Sequence, residues 1–133
     1  MPSKMVIAFG PFKGFIADGV RAGDTIHLSG AVSIDAEGKT VHAGDIVKQG
    51  QQAYRNIARV LEEFGAKMDN IVDETLFVTD MSAIMGSEEK MGAFFGMRAE
   101  AYGGNPQLTQ SLIGVKEFVM PDLMIEIKVV AHV

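Results

Sequence analysis

Residues 123–133, LMIEIKVVAHV, close the chain with an alternation that decides how it folds. In a strand, residues two apart share a face, so Ile125, Ile127, Val129, Ala131 and Val133 point one way and Met124, Glu126, Lys128, Val130 and His132 the other. The first set belongs in a core. The second puts a carboxylate, an ammonium and an imidazole on a strand that is otherwise apolar, and that face needs a purpose.

Working back from this strand, two segments change period from two to between three and four. From Asp45 to Phe64, Ile46, Gly50, Ala53, Tyr54, Ile57, Leu61 and Phe64 form one stripe, which predicts an amphipathic helix of about five turns. Asp45 caps its start, and Gly65 follows its last apolar residue. Ser87 with Glu88 and Glu89 marks the start of a second helix, whose Met91, Phe94, Phe95, Arg98 and Tyr102 run to the glycines at 103 and 104.

Strands are predicted at MVIAF, at DTIHLSGAVSI, where the chain turns at DAEGKT and re-extends at Val41, at IVDETLFVTDM and at LTQSLIGV. In IVDETLFVTDM, Val72, Leu76 and Val78 share one face. The order of several strands, helix, strand, helix and two strands implies two β-α-β units in one sheet, with both helices on one face. The apolar remainder of the other face is most simply covered by another copy of the chain.

Composition sets bounds on function. The 133 residues are read as one domain, 1–133. Without cysteine there is no disulfide, thiolate metal site or thiol nucleophile. A net charge of -5 without any basic run excludes a phosphate-tracking surface, so no nucleic-acid partner is expected. MPSKMVIAFG is too short in its apolar run for a signal or a membrane span, and a soluble cytoplasmic protein with no membrane association is predicted. Hydrophobic content of 47%, with nine methionines and no tryptophan, favours an oligomer.

No P-loop, GxGxxG, HExxH or GxSxG occurs. His27, His42 and His132 lie far apart, with no carboxylate at ligand spacing, so no metal is assigned. Three places carry chemistry. Glu126 either pairs with Lys128 at a half-exposed surface or serves as a general acid or base that positions water. Ser29 and Gly30 in HLSGAV mark either a bulge or a close approach of ligand to backbone. Gln107, Thr109, Gln110 and Ser111 crowd the start of a strand, where polar groups are ordinarily solvated.

HLSGAVSIDAEGKTV, DNIVDETLFVTDMS, AFF in the second helix and MPDLMIEIKVVAHV together resemble the reactive intermediate deaminase (Rid) family, also called YjgF, from about Asp24 to Val133. The resemblance implies a chorismate-mutase-like α+β fold, a mixed sheet with two helices packed on one face. Three chains would form a homotrimeric barrel with clefts between subunits. It also implies hydrolysis of enamines and imines such as 2-aminoacrylate to 2-oxo acids and ammonia, without metal or organic cofactor.

In the family an arginine before a serine on the penultimate strand binds the substrate carboxylate, a glutamate on the last strand positions water, and an aromatic near the N terminus lines the pocket. Carried over, the glutamate is Glu126 and the serine-glycine contact is Ser29 and Gly30. The aromatic falls on Phe12 or Phe15, the serine on Ser111, and Gln110 stands where the arginine belongs. Lys128 replaces the second glutamate of the usual ending. Loss of the guanidinium predicts weak binding of 2-imino acids, unless Lys13 or Arg21 substitutes. Two readings follow: a deaminase-like hydrolase for a neutral or differently charged small molecule, oriented by Gln110, or a small-molecule-binding or partner-regulating trimer without catalysis. Ribonuclease activity lacks the basic face and paired histidines that it would use.

Overall fold

The computed structural model describes residues 3–133. The strands are β1 (Lys4–Ile7), β2 (Gly19–Ala22), β3 (Thr25–Leu28), β4 (Ala31–Val32), β5 (Ile71–Val78), β6 (Thr109–Gly114) and β7 (Ile125–His132). Helix α1 (Ile46–Glu63) precedes β5, and the short α2 (Ser82–Met85) and α3 (Glu88–Ala101) follow it. The sheet runs β1-β2-β3-β7-β5-β6, with β4 also on β7. Only β5 and β6 are parallel, as a strand-helix-strand connection through α3 requires. This is a mixed α+β architecture.

The last strand of the chain lies centrally because both of its edges are used, by β3 and β4 on one side and β5 on the other. Its alternation is realised: Ile125, Ile127, Val129 and Ala131 are fully buried in the core with α1 and α3, while Glu126, Lys128 and Val130 are half-buried and His132 is exposed on the opposite, open face.

The helix ends follow from local chemistry. The Asp45 carboxylate accepts the Lys48 N–H at 3.0 Å, and Gly65 takes φ +71° just past α1, where a side chain would be strained. Ser87 accepts the Lys90 N–H at 3.1 Å at the start of α3.

Four expectations change. β2 was not anticipated; its GVRA is too short to show a period, and it forms because β1 and β3 flank it. The single strand expected over DTIHLSGAVSI breaks at Ser29–Gly30 into β3 and β4, and no strand starts at Val41. A third helix, α2, joins the expected two. In β5 the ladder to β7 shifts between Ile71 and Asp73, so Val72, expected on the face of Leu76 and Val78, turns outward, 48% exposed, and Ile71 is buried instead.

Ile127→Ala removes a fully buried side chain from the central strand and is expected to cost about 2–5 kcal/mol in urea denaturation. Val119→Ala, on a side chain 84% exposed, is expected to stay within about 0.5 kcal/mol.

Candidate functional site

Glu126 lies opposite Phe77 of β5 and Val32 of β4 in the ladders. Its neighbour across the β3–β4 connection is Gly30. A Cβ on Gly30 would stand 2.6 Å from the Glu126 carboxyl carbon and from Oε2, so a side chain there would push the carboxylate aside. The break between β3 and β4 at Ser29–Gly30 thus lies beside the carboxylate. Burial pushes the Glu126 carboxyl above its ordinary value, and the positive charge of Lys128 partly opposes this.

Glu126 and Lys128 do not form the ion pair expected as one alternative. The Lys128 ammonium instead donates to the Leu28 carbonyl, and among the described residues the ion pairs are Arg21–Asp24 and Arg98–Glu74. Glu126 is thus a partly desolvated carboxylate with no fixed cation on it, able to hold or release a proton according to what approaches. Across the same face, Thr75 lies between Lys128 and Ser111, and His27 lies opposite Val130. Strands β3, β5, β6 and β7 contain no arginine.

On the other side of Gly30 is a cleft of about 290 Å³ between residues 9–16, the β3–β4 connection and α1. It unites Phe12, Ser29 and Gly30; Glu126 does not line it. Phe15 is 91% exposed and lies outside, so of the two aromatics left open by sequence, Phe12 is the one in the cleft. Asp18 holds the loop by accepting the Phe9 and Gly10 N–H groups at 2.7 and 2.8 Å. The Ser29 hydroxyl donates to the Ala17 carbonyl at 2.6 Å and is spent on that bond.

Gln110 is placed differently from the expectation. It pairs with Glu74 in the β5–β6 ladder, on the helix side of the sheet, and its amide donates to Glu74 Oε1 at 3.0 Å. Glu126 is on the opposite face, so within the chain the two do not meet. Ser111, one residue on, faces the open side in the Thr75 row.

Glu74 itself is fully buried, and sequence reading passed over it. Besides Gln110 it accepts from the Tyr54 hydroxyl at 3.0 Å, the Tyr102 hydroxyl at 2.5 Å and the Arg98 guanidinium. Burial first, and then the charge of Glu74, raises both phenols above the ordinary tyrosine value. The cluster has no unpartnered polar atom among the described residues, which marks it as structural support. The available signal was a lone glutamate in an apolar strand with two tyrosines and an arginine on facing helices.

The endoribonuclease L-PSP family profile matches residues 7–133. A 2-iminobutanoate/2-iminopropanoate deaminase of Dermatophagoides farinae is 28% identical over 104 residues, covering 78% of this chain and 75% of that protein. A RutC family protein of Pyrococcus abyssi is 29% identical over 83 residues, 62% of this chain; the match spans 65% of that relative, slightly under two-thirds. Among solved structures, the Rid-family protein YyfA of Yersinia pestis superposes with TM-score 0.84 at 26% identity, covering 98% of this chain and 100% of that one. A YjgF-family member of Mycobacterium tuberculosis gives TM-score 0.79 at 24% identity over 98% and 100%, a likeness of fold alone.

Two measurements follow from this geometry. Arg98→Met leaves a buried carboxylate without its cation and is expected to destabilise by about 3–5 kcal/mol in urea, with Glu74→Leu in the same chain recovering part of the loss. Glu126 binds its proton more tightly folded than unfolded, so its contribution to stability falls as pH rises from the unfolded value of 4.5 through the raised folded one. Glu126→Gln is therefore expected to gain stability relative to the native chain above that window and to lose the advantage below 4.5, read from denaturation midpoints on both sides.

Proposed function

The chain belongs to the endoribonuclease L-PSP family, the YjgF/Rid family, and from that premise we propose that it is an enamine or imine deaminase-like hydrolase with Glu126 as its general acid and base. The observation that carries the reading is the position of Glu126: half-buried on the open sheet face, pressed against a glycine that makes room for it, raised in pKa and unpaired with Lys128. The deaminase from Dermatophagoides farinae supports the reaction class.

In this reading the open face is closed by further copies in a homotrimer with a chorismate-mutase-like arrangement, and the reacting carbon sits between Glu126 and a neighbouring subunit. The Glu126 carboxylate takes a proton from water as its oxygen bonds to the C=N carbon. The proton passes to nitrogen to give a carbinolamine, whose hydroxyl proton then moves through the same carboxylate to the amino nitrogen as the C–N bond breaks, the C=O bond forms and ammonia leaves. An enamine enters after protonation at carbon gives the imine. One carboxylate can alternate between the two roles because burial brings its proton affinity toward neutrality.

Gln110 takes no part, since its amide is held by Glu74 behind the sheet. Ser111 is the β6 polar group on the substrate side, and Lys128 is the cation on the strand carrying Glu126. A second reading, a binding or partner-regulating trimer without turnover, is favoured by the absence of arginine from the four strands around Glu126.

Ammonia release from freshly generated 2-aminoacrylate and from an uncharged imine separates the two. The deaminase reading expects the native chain to accelerate at least one of them and Glu126→Ala to lose that acceleration by about 100-fold or more. No acceleration of either substrate, or full activity in Glu126→Ala, overturns it. Light scattering that returns a mass other than three chains overturns the trimer.

A further inference from the structure

We propose that Lys128 captures small uncharged ketones and aldehydes as a Schiff base, with Glu126 carrying the protons. The two side chains share one face of β7, two residues apart, and both meet the β3–β4 connection. The Lys128 ammonium donates to the Leu28 carbonyl, and the Glu126 carboxyl lies against Gly30. Leu28 and Gly30 stand at most roughly 7 Å apart along the chain, so amine and carboxyl are close neighbours. They form no ion pair, and the gap between them is on the scale of a carbonyl group with one water.

The surroundings of Lys128 leave its amine available. It is half-buried, and among the described residues no carboxylate pairs with it. The Leu28 carbonyl is one acceptor for a group with three N–H donors. Opposite Lys128 in the ladder is Thr75 of β5, and Ser111 of β6 lies beyond, so its row offers hydroxyls and no second charge. The next row holds Asp73 and His27, on either side of Val130.

Making a C=N bond from a carbonyl and an amine is the reverse of the hydrolysis assigned to Glu126, so the inference rests on that reading of the carboxylate as a proton carrier. The neutral Lys128 amine adds to the carbonyl carbon as the C=O pair moves to oxygen. Glu126 gives that oxygen a proton and takes one from nitrogen, leaving a carbinolamine and the carboxyl in its acid form. The acid then protonates the hydroxyl, the C–O bond breaks, water leaves, and the nitrogen pair closes the C=N bond. The products are an iminium on Lys128 and a carboxylate on Glu126, opposite charges side by side. Burial favours the acid form of Glu126 that the first and last transfers use. Strands β3, β5, β6 and β7 carry no arginine and no lysine besides Lys128, which is itself consumed, so no amine or guanidinium remains on them to hold an anionic tail.

Reductive trapping of the full chain with butanone and cyanoborohydride, mapped peptide by peptide, tests the proposal, with the exposed Lys48 and Lys67 as internal references. Lys128 is expected to be alkylated about tenfold faster than either, although it is less exposed, and Glu126→Gln to bring it down to their rate while theirs stay unchanged. Lys128→Arg keeps a cation for the Leu28 carbonyl and is expected to abolish the fast phase. A Lys128 rate no higher than the references, or one unmoved by Glu126→Gln, overturns the proposal. Ammonia release from an uncharged imine is read in parallel. Release without fast trapping at Lys128 overturns the capture alone, and fast trapping without release overturns the deaminase reading alone.

Discussion

A carboxylate taken fully out of water must be met by donors, and Glu74 is met by four: two phenols, a guanidinium and an amide. Those donors come from α1, α3 and β6, so a single buried charge on β5 binds both long helices and the edge strand to the sheet. Removing ions from water is costly, and such a cluster adds little net stability compared with an apolar one of the same shape. What it supplies is definition. The helices cannot slide along the sheet, nor β6 slip by one residue, without leaving a charge or a hydroxyl unpaired.

That definition reaches the functional face. With Gln110 committed to Glu74, the strand period turns Ser111 outward beside Thr75 and Lys128. The residue that sequence comparison puts in place of an arginine is therefore a member of the supporting cluster. An arginine at position 110, if it kept this register, would compete with Arg98 for Glu74. Sequence position and sheet face are different coordinates, and the second decides which side chains share a site.

The main outline of the fold was legible because β7, α1 and α3 have strong periods and chemically marked ends. Asp45, Ser87 and Gly65 do in three dimensions what their types suggest in one. The misreadings share a cause, which is that pairing partners were invisible. The shift between Ile71 and Asp73 sends Val72 outward and buries Ile71, while Glu74 keeps the face that alternation gives it with Leu76 and Val78. β2 has no pattern of its own and depends on its neighbours. In the site, Glu126 and Gly30 were legible as a carboxylate in an apolar strand and a glycine in a strand interior.

Gly30 joins these threads. Its backbone separates two environments, with the partly desolvated Glu126 on one side and an apolar cleft on the other. Because Gly30 has no side chain, the carboxylate packs directly on the connection that forms the cleft wall. The bonds from Ser29 to the Ala17 and Asp18 carbonyls fasten that segment to the loop carrying Phe9 and Phe12. Loop, connection and carboxylate thus follow one another through a single glycine.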